Sequence, residues 1–133
     1  MKENRGVGIL IIKDEKILLG HRCEGWANGT WTMPGGKLDE NEKPEDGAKR
    51  EVKEETGLEI DKLELTSVNK DMLNNEKEFT TYIFKPNLIE GMVETKEPEE
   101  IDKWEWFELK KLPQPVYPPS EKAIKQYLDK LKR

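Results

Sequence analysis

Hydrophobic and polar residues are distributed along the chain in a way that predicts several short strands around one central helix. Apolar, β-branched residues fill Gly6–Ile12 and Lys16–Gly20, and the polar Lys13–Glu15 between them predicts a hairpin. Later strands are predicted from alternating, aromatic or β-branched residues at Leu63–Val68 or as far as Asp71, at Glu78–Phe84, and at Trp104–Phe107. We expect Pro86 to end the second of these strands.

The segments between the strands carry turn-forming residues. Cys23–Thr30 contains two glycines and predicts a loop, and Trp31–Gly36 predicts a short strand that runs into a glycine turn. Asn74–Lys77 predicts a turn, and residues 87–103 predict a mostly irregular, acidic segment.

A helix is predicted over Pro44–Thr56 by signals at both ends. Proline suits the first helical position because its φ is fixed near the helical value. Glu45 and Asp46 lie in the first turn, where the helix dipole favours acidic residues. At the other end, Gly57 suits the left-handed residue that commonly ends a helix.

A second, amphipathic helix is predicted over Ser120–Lys132, with Ser120 as its N-cap. Its apolar face consists of Ala123, Ile124, Tyr127, Leu128 and Leu131. Several strands around one helix, followed by a closing helix, predict an α/β fold.

The central helix collects three carboxylates on one face, because Glu51, Glu54 and Glu55 span only about 100° at 3.6 residues per turn. Ala48 and Val52 form an adjoining apolar face that we expect to be buried. Like charges at this spacing destabilise a helix, and a divalent cation would compensate; oxygen-only ligands suit Mg²⁺ or Mn²⁺. The alternative is a solvated acidic face that carries two i,i+4 ion pairs, Asp46–Arg50 and Glu45–Lys49.

The composition limits the classes of function. A chain of 133 residues is expected to form one domain, residues 1–133, with an economical core because only 34% of it is hydrophobic. A net charge of −5 argues against general binding to a nucleic-acid backbone. Cys23, the one cysteine, cannot form an internal disulfide, and no apolar run is long enough to cross a membrane, so a cytoplasmic protein is expected.

Glycine and charged residues recur at fixed intervals through the central helix and the loop before it. From Gly36 the order is five residues, Glu42, seven residues, and then Arg-Glu-Val-Lys-Glu-Glu-Thr-Gly-Leu over residues 50–58. This pattern resembles the signature of the Nudix hydrolase family at every defined position. The resemblance implies the Nudix α/β/α sandwich, with a mixed β-sheet between helices, and the C-terminal half looks like the MutT-like branch that cleaves nucleoside triphosphates.

The family hydrolyses a phosphoanhydride bond in a nucleoside diphosphate linked to another moiety, so the resemblance implies Mg²⁺ (or Mn²⁺) as a cofactor. By position, it makes Glu54 and Glu55 metal ligands, and makes Glu51 a further ligand or the general base. It adds the carbonyl of Gly36 as a ligand. Arg50 would act in catalysis by orienting a carboxylate through an ion pair.

The resemblance also assigns roles to acidic residues outside the helix. Glu42 would anchor the loop before the helix. A further metal-ligating carboxylate usually comes from the loop near the last strand, and Glu99 is preferred over Glu97 and Glu100 because it lies five residues before Trp104.

Substrate choice is expected to lie outside the signature. The resemblance implies a (deoxy)nucleoside triphosphate that is cleaved to monophosphate and pyrophosphate, in the sanitation of the nucleotide pool. Tyr117 would then stack on the base, or would only pack against its proline-rich loop. Arg22 would bind phosphate through its guanidinium, or would be a surface residue, as we expect His21 to be.

Other functions stay open at this point. The same chemistry could act on ADP-ribose, a dinucleoside polyphosphate or capped RNA, and a Nudix-fold nucleotide sensor would bind without cleaving. The chain keeps every glutamate of the signature, which favours an enzyme. A small-molecule nucleotide is the expected partner, a homodimer is left open, and neither a nucleic acid nor a membrane is expected.

Overall fold

The computed structural model describes residues 4–73 and 77–132, and within these ranges the chain forms eight strands and two helices. The strands are β1 (Arg5–Ile9), β2 (Ile12–Lys13), β3 (Lys16–Arg22), β4 (Trp31–Thr32), β5 (Gly35–Lys37), β6 (Glu59–Leu73), β7 (Lys77–Glu90) and β8 (Ile101–Glu108). The helices are α1 (Pro44–Thr56) and α2 (Pro118–Leu131).

The described strands form two four-stranded sheets. The first has the order β5-β1-β7-β6, and it is mixed because β1 and β7 run parallel while the other neighbours run antiparallel. In the second, β3 is central and pairs antiparallel with β2, β4 and β8. The helices and the mixed sheet expected of the α/β fold are therefore present.

Two hydrophobic clusters lie on opposite faces of the strands. Leu18 of β3 packs in the cluster that contains Ala48 and Val52 of α1. Its neighbour Leu19 packs in the cluster that contains Ala123 of α2. Because side chains alternate across a strand, the two helices cover opposite faces. This arrangement also explains the unbroken apolar runs at the start of the chain, since strands buried on both faces need no polar positions.

The helix α1 has the bounds that its sequence predicts. Pro44 is in its first turn, and Gly57, with a φ of 79°, ends it by donating its backbone N–H to the carbonyl of Lys53. Ala48 and Val52 are fully buried, as expected. Their burial fixes the rotation of the helix about its own axis, and with it the direction of the carboxylate face.

The predicted hairpin between Gly6–Ile12 and Lys16–Gly20 is confirmed at its turn, but most of the first run pairs with other strands. β1 pairs with β5 and β7, and only the two residues of β2 pair with the start of β3. The apolar run therefore crosses from one sheet to the other. The segment Trp31–Gly36 is divided in the same way, because β4 joins β3 whereas β5 joins β1.

The strand β7 is longer than predicted, and the expected end at Pro86 is wrong. Pro86 pairs with Leu63 of β6, while on the other side of β7 the pairing with β1 stops at Phe84. A strand tolerates proline where one of its sides has no partner strand. Most of the predicted turn at Asn74–Lys77 lies outside the described residues, and the irregular acidic segment is shortened to residues 91–100.

The helix α2 begins two residues earlier than predicted, and Ser120 is not its N-cap. Tyr117 occupies that position, because the prolines that follow it suit the start of a helix. Ser120 is fully buried in the first turn, where its hydroxyl accepts a hydrogen bond from the backbone N–H of Met33 (3.0 Å). The predicted apolar face packs in the core except for Leu131, which is 61% exposed.

Two lysines of α2 bind the backbone of β6, the strand at one end of the mixed sheet. Nζ of Lys130 donates to the carbonyl of Thr66, and Nζ of Lys122 donates to the carbonyl of Lys70 at 3.4 Å. Lys122 also forms an ion pair with Asp71 at 3.2 Å. These contacts fasten the last helix to the end of the sheet.

Candidate active site

Arg50 links the carboxylates of α1 to the loop before the helix. Its guanidinium binds Glu42 at two points, Nε to Oε2 and Nη2 to Oε1, both at 2.9 Å. Its Nη1 also donates to Glu51 Oε1 at 2.9 Å and to Glu54 Oε1 at 3.2 Å. One guanidinium therefore offsets part of the repulsion among the glutamates and holds two of them in place.

Glu42 is tied to the loop that it was expected to anchor. Its Oε1 accepts a hydrogen bond from the backbone N–H of Asp39 at 2.9 Å, and its own carbonyl accepts one from Nη2 of Arg5 at 3.1 Å. Hydrogen bonding to the Arg50 guanidinium lowers the pKa of Glu42 to about 2. Glu42 is thus held ionised, and it fixes the side of Arg50 that faces away from the other glutamates.

Glu51 lies against the glycine turn. A Cβ on Gly36 would come within 2.5 Å of Glu51 Oε2, so the glycine gives this carboxylate room in its present position. The Glu51 side chain is 14% exposed, and burial raises its pKa to about 7, although Arg50 opposes the shift. The structure therefore brings Gly36 and Glu51 together, as the signature implies.

Glu55 points into the site from the last turn of α1. Its Oε1 accepts a hydrogen bond from the backbone N–H of Gly35 at 2.9 Å. Its carboxylate is enclosed even though the residue as a whole keeps some exposure, and burial raises its pKa well above the ordinary value. Glu51 and Glu97 add to this shift by their negative charge. A bound cation would reverse it, because it favours the ionised form of each carboxylate.

Of the two helix glutamates that pair with Arg50, Glu54 is the more exposed, with 48% of its side chain accessible. The alternative of an ordinary acidic face with two i,i+4 pairs does not describe this helix. The ion pair of Lys49 joins its Nζ to Asp61 at 3.2 Å rather than to Glu45. Arg50, as described above, binds glutamates of the signature rather than Asp46.

The acidic loop before β8 reaches the site through Glu97. Glu97 raises the pKa of Glu51 and of Glu55 by its charge, and its own pKa is raised by burial and by neighbouring acids that include Glu54. Glu99 lies beside Cys23 instead, whose Sγ is 3.4 Å from its carbonyl oxygen. Glu97 and, towards Glu55, Glu100 thus act on the helix carboxylates through their charge, and the preference for Glu99 stays a prediction. Sequence spacing could not separate them, because the choice depends on the direction of each side chain in one tight turn.

The donor set fits a divalent cation, although residues 4–73 and 77–132 contain no group of three or more acidic, histidine or cysteine side chains already gathered around one point. Carboxylate oxygens of Glu51, Glu54 and Glu55 share one face of a rigid helix, and such oxygens are what Mg²⁺ and Mn²⁺ prefer. The Glu51 carboxylate also lies against Gly36. Burial raises the pKa values of two of the three acids, and a bound cation would favour their ionised forms.

A cavity of about 270 Å³ adjoins the carboxylates. Its walls combine the glycine turn and α1 with residues of β3, β7, β8 and the segment before α2, among them Gly35, Gly36, Glu55, Arg22, Phe79, Thr81, Ile101 and Tyr117. The two predicted substrate residues, far apart in the sequence, thus share one cavity with the end of the signature helix.

Arg22 and Tyr117 contact each other in this cavity. The guanidinium carbon of Arg22 lies 4.6 Å from the centroid of the Tyr117 ring, a cation–π contact. Nε of Arg22 is buried and has no hydrogen-bond partner among the described residues. Trp26, 54% exposed, has its ring centroid 6.0 Å from that of Tyr117. An isolated aromatic residue in a loop gives no signal in the sequence, so Trp26 was not predicted.

Comparison with known proteins agrees with this architecture. A family model described as NUDIX domain matches residues 2–127. The chain therefore belongs to the Nudix hydrolase family, and the α/β/α sandwich with a mixed sheet that the signature implied is confirmed. Members of this family generally use a divalent metal.

Within the family, the chain is similar to MutT-like proteins. It is 33% identical over 106 residues to the oxidized purine nucleoside triphosphate hydrolase of Mus musculus, covering 79% of this chain and 66% of that protein. It is 30% identical over 112 residues to the RNA pyrophosphohydrolase of Bartonella henselae, covering 79% and 60%. The crystal structure of a MutT NUDIX hydrolase from Burkholderia pseudomallei superposes with a TM-score of 0.89 at 29% identity, covering 95% and 98%. The chain thus spans about two thirds or less of these two curated relatives. Among the described residues, no helix is both long enough and apolar enough to cross a membrane.

Proposed function

We propose that the protein is a Mg²⁺- or Mn²⁺-dependent Nudix pyrophosphohydrolase that cleaves a (deoxy)nucleoside triphosphate to the monophosphate and pyrophosphate. The observation that carries this proposal is the single cavity that joins the carboxylate end of α1 to the Arg22–Tyr117 pair. A nucleotide needs both ends, because its phosphates require cations and its base stacks on aromatic rings. The name of the mouse relative supports a nucleoside triphosphate as the substrate.

Five residues would hold the metal ions, namely Gly36, Glu51, Glu54, Glu55 and, in place of Glu99, Glu97. The bound metal supplies charge neutralisation of the polyphosphate and activation of water. The chain contributes a rigid helix that presents the carboxylates and a guanidinium that bridges two of them.

Glu51 is also the candidate for the general base. Its carboxylate lies against Gly36, whose carbonyl is a proposed metal ligand, and a general base has to lie within hydrogen-bond reach of the attacking water. Arg50 acts through Glu51 and Glu54, since it binds both carboxylates and is itself fixed by Glu42.

The opposite end of the cavity would bind the nucleoside. Tyr117 offers an aromatic face for stacking, and Arg22 has a buried Nε that lacks an acceptor among the described residues. A base or phosphate oxygen of the ligand would provide that acceptor. Substrate selection would therefore depend on residues outside the signature.

A second candidate substrate is RNA, which the similarity to the Bartonella henselae RNA pyrophosphohydrolase favours. The carboxylate chemistry would be the same, and the substrate would extend out of the cavity. The net charge of −5 is unfavourable for contacts with a long phosphate backbone. We therefore favour a free nucleotide over RNA as the substrate.

The test is to incubate the purified protein with Mg²⁺ or Mn²⁺ and a substrate panel, and to separate pyrophosphate from phosphate among the products. The panel contains common and oxidised nucleoside triphosphates, ADP-ribose, a dinucleoside tetraphosphate and a 5′-triphosphorylated RNA. We expect pyrophosphate from at least one triphosphate. Preferred cleavage of ADP-ribose or the dinucleoside compound would reassign the substrate, and binding without any turnover would show a sensor instead of an enzyme.

A further inference from the structure

The strands β3 and β8 lose their regular register beside the cavity. Gly20 pairs with Trp104, but two residues later Arg22 pairs with Ile101, three residues away on the other strand. His21 therefore lies opposite two residues of β8, which defines a β-bulge. Arg22 and Ile101 both line the cavity, so the bulge sets which residues form this wall.

The side chains at the bulge hold each other. Nδ1 of His21 lies 2.9 Å from Oδ1 of Asp102, and a proton on Nδ1 makes the histidine the donor. On the other side of β3, His21 pairs with Trp31 of β4, and the two rings meet edge-on with centroids 5.0 Å apart. The second residue of the bulge, Lys103, places its Nζ 5.5 Å from the centroid of the Trp31 ring.

This row of contacts continues to the nucleoside end of the cavity. The backbone N–H of Trp31 donates to the carbonyl of Pro115 at 3.0 Å, and the backbone N–H of Tyr117 donates to the carbonyl of Trp31 at 2.8 Å. The position of Tyr117 is therefore set by Trp31, which packs directly against His21.

The bulge also sets the position of the acidic loop. The backbone N–H of Ile101 donates to the carbonyl of Glu97 at 3.0 Å, and that of Cys23 donates to the carbonyl of Glu100 at 2.9 Å. Without the bulge, Asp102 would pair with Arg22, and β8 would shift by one residue. Such a shift moves the loop by about 3.3 Å and turns alternate side chains to the other face. Metal ligands must lie within about 0.2 Å of their ideal distances, so Glu97 would leave the site.

We propose that His21 and Asp102 are positioning residues, whose hydrogen bond holds the bulge that places Glu97 beside the α1 carboxylates and Tyr117 in the cavity. This inference rests on the proposed function for the identity of the metal-holding residues. It concerns binding, however, so its test requires no turnover. His21 was expected to be an ordinary surface residue. Its hydrogen bond would instead help to position Glu97 at the carboxylate end of the cavity and Tyr117 at the nucleoside end.

The test compares Asp102→Ala and His21→Ala with two matched variants. Asp102→Asn keeps an acceptor oxygen for the histidine N–H. Glu105→Ala removes an exposed carboxylate from the regular part of β8, where it pairs with Leu19. Mn²⁺ binding is measured by electron paramagnetic resonance, AMP binding by calorimetry, and folding by thermal unfolding followed by circular dichroism.

We expect Asp102→Ala and His21→Ala to weaken Mn²⁺ binding about tenfold, the lower end of the usual effect of residues that orient metal ligands. AMP binding should weaken with it, while both variants remain folded. Asp102→Asn should stay within about twofold of the wild type, since its hydrogen bond survives. Glu105→Ala should bind Mn²⁺ as the wild type does.

Unchanged Mn²⁺ affinity in both alanine variants would overturn the inference, and so would an equal loss in Glu105→Ala, which would indicate general weakening of β8. A wild-type protein that binds no Mn²⁺ would overturn both the inference and the proposed function. If Mn²⁺ affinity falls as expected but the wild type hydrolyses no nucleotide, the positioning role stands and the proposed function fails.

Discussion

The two ends of the cavity are built in different ways. The carboxylate end comes from one continuous segment, in which the glycine turn, Glu42, Arg50 and the helix glutamates contact one another within a span of 23 residues. The nucleoside end comes from strands and loops distant in the sequence, with Arg22 and Phe79 brought together with Tyr117. Local helix geometry fixes the first end, whereas strand register fixes the second.

This difference determines what substitutions can do at each end. At the carboxylate end, a single side chain can be removed while its helix remains buried through Ala48 and Val52. Such changes should affect chemistry or charge without moving their neighbours. At the nucleoside end, residues depend on pairing between strands, so their effects should be smaller in catalysis and more evident in substrate affinity.

The largest effect is expected for Glu54→Gln, which removes the charge of a proposed metal ligand from an exposed side chain. We expect kcat to fall by more than about 10²-fold. Mutation of residues that only hydrogen-bond to metal ligands already lowers metal affinity or activity by about 10–100-fold. The measurement is steady-state hydrolysis of the best triphosphate with saturating Mg²⁺. Glu45→Gln, the same change in the exposed first turn of α1, should keep activity. An active Glu54→Gln protein would remove Glu54 from the metal site.

The Glu42–Arg50 contact should dominate acid stability. The folded pKa of Glu42, about 2, lies below its ordinary value of 4.5, so ionised Glu42 stabilises the fold above about pH 5. That contribution, on the order of 3 kcal/mol, is lost as the pH falls from 4.5 towards 2. Urea unfolding at pH 6 and pH 3 should show a smaller pH dependence in Glu42→Gln than in the wild type. An equal change in the free energy of unfolding between pH 6 and pH 3 in the two proteins would contradict the role given to this contact.

Glu51 should have the opposite pH dependence in metal-free protein. Its folded pKa of about 7 is above the ordinary value, so its contribution is favourable below pH 4.5 and is lost as the pH rises towards 7. We expect a loss on the order of 2 kcal/mol, reduced by the nearby guanidinium, when urea unfolding is measured in chelator at pH 5 and pH 7.5. Glu51→Gln should reduce this loss and leave the part that comes from Glu55, whose pKa burial also raises. Saturating Mg²⁺ should raise the stability of the wild type at pH 7.5 more than that of the variant.

The smallest effect is expected at the nucleoside end. Tyr117→Ala should raise KM for the triphosphate about tenfold, because stacking of a base on an aromatic ring contributes about 1–3 kcal/mol. The change in kcat should be small, and Tyr117→Phe should behave as the wild type because it keeps the ring. If Tyr117→Ala lowered kcat as strongly as Glu54→Gln, the two ends of the cavity would not be separable.

The sequence predicted the carboxylate end well, since a proline start, a glycine end and helical periodicity act within a few residues. It predicted the strands with less success. The apolar run after Gly6 has no polar break where it changes sheets, and Pro86 is tolerated only because β1 stops short of it. The choice among Glu97, Glu99 and Glu100 stays a prediction for a related reason, because it depends on a turn at residues 97–101 that adjoins the β-bulge. Strand register arises from tertiary pairing, and the residues near His21 carry no sequence signal for the β-bulge.

Lys122 and Lys130, the lysines that bind β6, lie where a strand of another molecule could pair with the sheet. β6 ends the sheet and exposes Leu65, Val68 and Met72 by 49–60%, a combination that invites pairing with a strand of another molecule. Lys122 and Lys130 already occupy backbone carbonyls that such a strand would use, and they place positive charge along its path. Extension of the sheet between molecules would first have to displace both ammonium groups. We therefore expect the contact that seats the last helix to hinder pairing at this edge as well, and a homodimer to form through another surface.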